Sequence, residues 1–282
     1  MRTITGKTRL IGIFGWPVEH SRSPVFQNAA FEALGLDYCY VPLSVRPEDL
    51  EVAVRGLRAM NFAGANVTIP HKEAIIPFLD ELAPSASMTG AVNTIEVKDG
   101  KLIGHNTDGD GFVRSLDEAG IGVKDACCLM VGAGGAAKGV AVALARAGIR
   151  RIMIANRSLD RAVALSDLLK KHFPAVCSEA IPLNEAAVGN AAMSADVLVQ
   201  TTSVGMKPDD ILPVPVDILR PDLAVCDLIY SPPATLLLQG ASATGATTVN
   251  GLGMLLHQGA IAFEIWTGEK APVSVMREAL LK

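Results

Sequence analysis

Hydrophobic positions along the first part of the chain follow two alternating patterns. Short apolar runs of strand length, at Leu10–Gly15, Tyr38–Leu43 and Ala65–Ile69, are separated by segments in which apolar residues recur with the helical period. Two of these segments are expected to begin as helices near Pro24 and Pro47, because proline suits the first turn of a helix. Strands that alternate with helices are typical of parallel βαβ units, so the pattern predicts an α/β fold.

The alternation is interrupted near the middle of the chain. Two short runs, Ala91–Val97 and Leu102–His105, flank Asp99-Gly100, which favours a β-hairpin at the edge of a first domain. A second series of strands follows and indicates a second domain; its members are expected at Cys127–Gly132, Ile152–Ala155, Val197–Gln200 and Ala224–Leu228. The chain then ends in two helical segments with no strand left beside them, Leu252–Thr267 and Val273–Leu281.

Composition excludes several classes of function. The chain has 282 residues, half of them hydrophobic, yet no apolar run reaches the roughly 18 residues that span a bilayer. A net charge of −4 and the lack of a basic block argue against a nucleic-acid partner. The N-terminal sequence does not resemble a signal peptide. The five cysteines show no C-x-x-C spacing, so we expect reduced thiols and a cytoplasmic protein.

A glycine-rich turn between a strand and a helix is the first candidate binding site. The sequence from Gly132 to Ala137 fits the G-x-G-x-x-G/A pattern that binds a dinucleotide, in which free backbone N–H groups meet the pyrophosphate. Such a turn can also be purely structural. The residues assigned to the cofactor here are Gly132, Ala133, Gly134, Gly135 and Ala136.

The next strand indicates which dinucleotide is bound. An NAD site normally carries Asp or Glu at the end of this strand, but here the chain has Asn156, Arg157 and Ser158, with Arg161 one turn later. Two guanidinium groups suit a 2′-phosphate, so NADP is favoured over NAD. The alternative is that these arginines are merely solvated at a helix start, although cations there oppose the helix dipole.

Polar residues in the first domain recur two positions apart, a spacing that places side chains on one face of extended chain. The pairs are Ser21 with Ser23, Asn66 with Thr68, and Asn106 with Asp108. Each pair also has an ordinary explanation as a helix cap, a strand residue or a turn. Lys72 would by default be an exposed lysine at a helix start.

Taken together, these motifs resemble those of the shikimate dehydrogenase family. In the first domain they are S-x-S-P at Ser21–Pro24, N-V-T-x-P-x-K at Asn66–Lys72, A-V-N-T at Ala91–Thr94 and N-T-D at Asn106–Asp108. Beyond it they are G-A-G-G-A at Gly132–Ala136, N-R-S at Asn156–Ser158, T-T-S-V-G-M at Thr201–Met206, D-L-I-Y-S-P at Asp227–Pro232 and N-G-x-x-M-L-x-x-Q at Asn250–Gln258. The motifs occur in family order over nearly the whole chain.

The resemblance implies an enzyme of aromatic amino acid (chorismate) biosynthesis that reduces 3-dehydroshikimate to shikimate with NADPH, reversibly. It implies that the terminal helices return to the first domain, giving a substrate-binding domain of residues 1–107 with 253–282 and a Rossmann domain of residues 108–252. It assigns the substrate carboxylate to Ser21, Ser23 and Tyr230, the ring hydroxyls to Asn66, Thr68, Lys72, Asn93, Asp108 and Gln258, and further cofactor contacts to Thr202, Ser203 and Gly251.

Hydride transfer to a ketone leaves an alkoxide that needs a proton. Lys72 is the best donor, because no zinc ligands are apparent and the histidines lie outside the family's catalytic positions. Asp108 accepts hydrogen bonds when ionised, so we expect it to orient Lys72 and hold a ring hydroxyl.

Several alternatives stay open at this stage. The nearest is a quinate/shikimate dehydrogenase that uses NAD, and another is a non-catalytic member that binds the metabolite and regulates a different process. A metal site is not expected, since the acidic residues that follow Asn106 fit an EF-hand loop poorly. The sequence is compatible with either a monomer or a homodimer.

Overall fold

The structure is a computed structural model that describes residues 4–207 and 209–282. The chain divides into two compact units, Met1–Thr107 with Leu256–Lys282, and Asp108–Leu255. Each unit is built around a six-stranded sheet. The predicted α/β class and the return of the terminal helices to the first unit are confirmed.

The strands supply the frame of each unit. They are β1 Arg9–Gly15, β2 Tyr38–Ser44, β3 Gly64–Val67, β4 Glu81–Leu82, β5 Thr94–Lys98, β6 Lys101–His105, β7 Cys127–Val131, β8 Arg151–Asn156, β9 Cys177–Pro182, β10 Val197–Gln200, β11 Ala224–Asp227 and β12 Thr248–Val249.

The helices connect and cover these strands. They are α1 Ser23–Ala33, α2 Leu50–Ala59, α3 His71–Ala74, α4 Pro84–Thr89, α5 Asp108–Glu118, α6 Gly135–Arg146, α7 Leu159–His172, α8 Glu185–Ala192, α9 Leu236–Ala243, α10 Gly251–Thr267 and α11 Val273–Leu281.

The sheet of the first unit is mixed. Its strand order is β2-β1-β3-β5-β6-β4, with β1 parallel to β2 and β3, and with β5 antiparallel to both β3 and β6. The predicted hairpin joins β5 to β6, and its turn residues Asp99 and Gly100 have positive φ angles of 51° and 77°. Two consecutive left-handed residues match the right-handed twist of the flanking strands, which is why Asp-Gly favours this turn.

The sheet of the second unit is parallel throughout, in the order β12-β11-β10-β7-β8-β9. Its central strand β7 is buried along its whole length. Cys128 and Met130 face one hydrophobic cluster, while Leu129 and Val131 face another. Helices on both faces of a parallel sheet explain why this strand is a continuous apolar run rather than an alternating one.

Helices α10 and α11 complete the first unit by polar as well as apolar contacts. Trp266 Nε1 donates to the carbonyl oxygen of Ile95 at 2.9 Å, and Gln27 Nε2 donates to that of Gly259 at 2.9 Å. The C-terminal segment is therefore part of the core around β5 and α1. Across the described ranges, no helix has the length and apolar character needed to cross a membrane.

Candidate active site

Ser21 and Ser23 lie where the chain enters α1. The expectation that they share a face of extended chain is wrong, because Arg22 between them is helical (φ −84°, ψ −10°) and precedes the first residue of α1. The tight turn brings the Ser23 backbone N–H to Ser21 Oγ at 3.4 Å. The Arg22 side chain is held elsewhere, because its Nη2 donates to the Leu280 carbonyl oxygen at 2.6 Å.

Asn66 is held in β3 by a buried hydrogen-bond network. Its Oδ1 accepts from the Tyr40 hydroxyl at 2.7 Å, and its Nδ2 donates to the Asn93 carbonyl oxygen and to Thr94 Oγ1, both at 3.0 Å. Both amide hydrogens are thus used inside the protein. Because the Asn93 carbonyl can only accept, the amide orientation is fixed, and Asn66 can meet a ligand only as an acceptor through Oδ1.

Asn93 continues this network toward α10. Its Nδ2 donates to Thr107 Oγ1 at 2.9 Å and to Gln258 Oε1 at 3.4 Å, while its Oδ1 accepts from the Thr107 backbone N–H at 2.9 Å. The Asn106 side chain is anchored separately to the Ala91 carbonyl oxygen at 3.0 Å. Asn66, Asn93 and Gln258 are therefore linked by hydrogen bonds within one unit.

Thr68 and Lys72 follow β3. Thr68 lies just beyond the strand, not within it as expected, and its N–H donates to the Phe14 carbonyl oxygen at 2.8 Å. Lys72 is half-buried in the short helix α3, and its carbonyl oxygen accepts from the Val92 N–H at 2.8 Å, next to Asn93. The neighbouring His71 is buried, and its Nε2 lies 2.7 Å from the Val45 carbonyl oxygen, which gives it a structural role.

Two residues predicted to bind substrate belong to the second unit. Asp108 is the first residue of α5 and follows directly on Thr107, which Asn93 holds. Tyr230 is exposed and lies beyond β11. The chain before Tyr230 is shaped by the buried Asp227 carboxylate, which accepts from the Ile229 N–H at 3.0 Å and from Thr235 Oγ1 at 2.8 Å. Burial raises the pKa of Asp227 above its usual value, against the lowering effect of these two hydrogen bonds.

The glycine-rich turn fits a dinucleotide pyrophosphate. Gly132 has φ 111°, and a Cβ there would lie 2.3 Å from Thr201 Oγ1, so the turn requires glycine. Gly134 is the N-cap residue of α6, and no side-chain hydrogen bond covers this end of the helix. A Cβ built on Gly134 or on Gly135 would have no other atom within 4 Å, so both residues border open space. The backbone N–H groups of the first turn of this helix are therefore accessible to an anion.

The second unit has a cavity of about 660 Å³ whose lining includes Val131, the residue before this turn, but none of Gly132 to Ala136. Of the predicted cofactor residues, Asn156, Arg157, Thr202 and Ser203 line it. Arg161 and Ser158 are not part of the lining, and the Ser158 carbonyl oxygen instead accepts from Asn156 Nδ2 at 2.8 Å. Of the two arginines predicted to bind the cofactor, Arg157 is the one that lines the cavity.

Gly251 has a packing requirement that the sequence did not reveal. A Cβ at this position would lie 2.1 Å from the Leu228 carbonyl oxygen, so only glycine lets α10 begin so close to the end of β11. Its contact with cofactor stays a prediction.

Sequence reasoning missed two buried side chains that hold site residues in place. Tyr40 fixes Asn66, and Gln200 makes hydrogen bonds to the turn that carries Thr202. Both lie in strand-like runs, where a buried tyrosine or glutamine has no distinguishing sequence pattern. Over the described residues, no group of three or more His, Cys, Asp or Glu side chains is placed to hold a metal ion.

Comparison with known families finds matches over most of the chain. The model described as shikimate dehydrogenase substrate binding domain matches residues 13–95, that of shikimate / quinate 5-dehydrogenase matches residues 116–207, and that of shikimate 5'-dehydrogenase C-terminal domain matches residues 251–281. The shikimate dehydrogenase (NADP(+)) of Desulforamulus reducens is 48% identical over 99% of this chain and 97% of its own length.

Solved structures of similar proteins have the same architecture. The shikimate 5-dehydrogenase of Listeria monocytogenes, in complex with shikimate and NAD, is 39% identical with a TM-score of 0.94 and covers 99% of this chain and 98% of its own. That of Thermus thermophilus, in complex with NADP(H) and shikimate, is 37% identical with a TM-score of 0.87 over 97% of this chain and 99% of its own.

Proposed function

The chain belongs to the shikimate dehydrogenase family, and from this premise we propose that it catalyses the reversible, NADP-dependent reduction of 3-dehydroshikimate to shikimate. The observation that carries the proposal is the buried network that links Asn66, Asn93 and Gln258, beside the helix that bears Lys72. Such a network holds amide groups rigidly in place, as recognition of a small polyhydroxylated ring requires.

NADPH supplies the hydride when it is bound. In the reduction, Lys72 Nζ donates a proton to the substrate's carbonyl oxygen, and its positive charge stabilises the negative charge that develops there. In the oxidation of shikimate the same group takes the proton back. Asp108 accepts a hydrogen bond from a ring hydroxyl, and its position directly after the anchored Thr107 supports this role.

The remaining ring contacts are assigned by the chemistry of each group. Asn66 accepts from a hydroxyl through Oδ1, since its two amide hydrogens are used inside the protein. Thr68, Asn93 and Gln258 complete the set, and Ser21, Ser23 and Tyr230 hold the carboxylate through their hydroxyl groups.

For the cofactor, Arg157 is the side chain proposed to meet the 2′-phosphate, supported by its place in the cavity lining. The pyrophosphate is assigned to the turn of Gly132, Ala133, Gly134, Gly135 and Ala136, with Asn156, Ser158, Arg161, Thr202, Ser203 and Gly251 around the rest. We further propose a substrate domain of residues 1–107 with 253–282 and a cofactor domain of residues 108–252. A cytoplasmic location is supported by the free thiols of all five cysteines.

The test is steady-state oxidation of shikimate and of quinate, each with NADP and with NAD. We expect shikimate with NADP to have the highest kcat/KM. If quinate with NAD were preferred, the chain would be the related quinate enzyme, and absence of turnover in all four combinations would favour a regulatory, non-catalytic member.

Lys72→Ala tests the proton donor. Loss of a general acid should lower kcat by about 10²–10⁴ while changing KM much less. Lys98→Ala, which removes an exposed lysine from the end of β5, is the matched control and should leave both parameters unchanged. A Lys72→Ala kcat within about threefold of wild type would limit Lys72 to binding, since general acid–base catalysis is worth far more than that.

A further inference from the structure

One buried amide holds the segment that follows β10. Gln200, the last residue of that strand, is 0% exposed. Its Nε2 donates to Thr202 Oγ1 and to the Val204 carbonyl oxygen, each at 2.8 Å, and its Oε1 accepts from the Thr202 backbone N–H at 2.9 Å. Both amide hydrogens of Gln200 are thus directed at the turn formed by residues 202–204.

The orientation of this amide is fixed by backbone groups. The Val204 carbonyl can only accept a hydrogen bond and the Thr202 N–H can only donate one. Rotating the Gln200 amide by 180° would place its Oε1 against the Val204 carbonyl oxygen and its Nε2 against the Thr202 N–H. Gln200 Nε2 is therefore the group that faces Thr202 Oγ1, and it can only donate to it.

The direction of the Thr202 hydroxyl follows from its two neighbours. Thr202 Oγ1 accepts from Gln200 Nε2 and also from the Val204 backbone N–H at 3.1 Å. Neither donor can accept the hydroxyl proton in return. Over residues 4–207 and 209–282, no hydrogen bond uses this proton. Thr202 and Arg157 both line the same cavity, so a ligand bound there would lie beside a residue whose hydroxyl proton has no acceptor among the described residues.

We propose that Gln200 is a positioning residue for the cofactor, which makes the Thr202 hydroxyl an obligatory hydrogen-bond donor to an oxygen atom of the bound dinucleotide. The inference rests on the proposed function, since it takes NADP as the occupant of the cavity. Gln200 itself does not touch the cofactor. Phosphate and ribose oxygens both accept hydrogen bonds, so a hydroxyl fixed as a donor suits this class of ligand.

Binding of NADPH to the intact protein, followed by nicotinamide fluorescence in the absence of shikimate, tests the proposal without requiring turnover. Thr202→Val removes the hydroxyl at nearly constant shape, and Gln200→Met removes the amide that directs it. Each should raise the Kd for NADPH about tenfold or more, the usual range for a hydrogen bond to a charged or polar ligand group. Thr202→Ser should bind like wild type.

The double variant Gln200→Met/Thr202→Val gives the decisive comparison. If Gln200 acts through Thr202, the double variant binds NADPH no more weakly than Thr202→Val alone, whereas independent effects would add. In turnover assays the KM for NADP should rise, while kcat at saturating cofactor and the KM for shikimate change little. Gln239→Met is the matched control, since this exposed glutamine of the same unit donates to the Ala234 carbonyl oxygen and lies outside the cavity lining.

Additive losses in the double variant, or wild-type affinity in Gln200→Met or Thr202→Val, would overturn the proposal. If Gln200→Met does not fold, Gln200→Asn replaces it: this neutral amide is one methylene shorter, so we expect its N–H groups to lose their reach to Thr202 Oγ1, with the same loss of affinity. A wild-type protein that does not bind NADPH at all would instead refute the proposed function. If the wild-type protein binds NADPH and the Gln200 variants bind it with the same affinity, only the role of Gln200 is refuted.

Discussion

Replacing Tyr40 by Phe tests how the substrate half of the site is held. Tyr40 is 2% exposed and Asn66 is 5% exposed, and the Tyr40 hydroxyl donates to Asn66 Oδ1 at 2.7 Å. Burial raises the pKa of Tyr40 far above its usual value, against the lowering effect of a hydrogen bond with Ser23, so the hydroxyl stays a donor at any working pH. The variant removes one oxygen atom and keeps the ring.

The expected cost follows from what Asn66 loses. Both of its amide hydrogens are already used, so no rotation of the amide restores a partner to Oδ1. Losing this hydrogen bond should cost about 0.5–1.5 kcal/mol, a noticeable part of the roughly 5–15 kcal/mol that stabilises a folded protein. Urea unfolding measures this change in the free energy of unfolding. The KM for shikimate should rise as well, while the KM for NADP stays the same.

Tyr38→Phe provides the matched control on the same strand. The Tyr38 hydroxyl accepts from Arg9 Nη1 at 2.8 Å in an exposed position, so its removal should change stability by less than about 0.5 kcal/mol. Equal, small effects of Tyr38→Phe and Tyr40→Phe on unfolding, together with an unchanged KM for shikimate, would refute the idea that Tyr40 positions Asn66.

Two further predictions concern the second unit. Arg157→Ala should weaken NADPH binding by about 1.5–3 kcal/mol, the worth of a charge-assisted hydrogen bond, and leave NADH binding almost unchanged. Arg161→Ala should weaken NADPH binding less. Equal losses of affinity for both cofactors in Arg157→Ala would show that this arginine has a structural role. Burial raises the pKa of Cys226 to about 12, whereas Cys177 is exposed. A thiol reagent near neutral pH should therefore label Cys177 before Cys226. Mass spectrometry of the modified peptides measures the order of labelling. Rapid labelling of Cys226 in the native protein would contradict this packing.

The fold was predictable where pattern and turn chemistry agreed. Strand β7 and the Asp99-Gly100 hairpin follow from a buried apolar run and from a dipeptide that adopts positive φ angles. Strand β9 was not anticipated, because it is an edge strand with exposed positions at Cys177 and Glu179 and carries no continuous apolar signal. The two-residue strand β4 is too short to have any periodicity.

The sequence predicted candidate ligand-binding residues, but not the side chains that hold them in place. Spacing suggested Asn66 and Thr68 as a pair, yet the hydrogen-bond partners that hold the Asn66 side chain lie 26 to 28 residues away in the sequence, at Tyr40, Asn93 and Thr94. The same holds for Gln200, whose role depends on the turn that follows it. The two-residue spacing of Ser21 and Ser23 also gave a wrong expectation, because the chain begins a helix at this point and is not extended.

The discontinuity of the first unit has a consequence for how the protein is made. Residues 108–255 form one uninterrupted stretch, so they can fold as soon as they have left the ribosome. The first unit has to wait for its last segment, because the Trp266 indole bonds to the Ile95 carbonyl oxygen across 171 residues of sequence. During synthesis the residues of the first unit that precede residue 108 therefore remain an incomplete core until residues 256–282 have also been made.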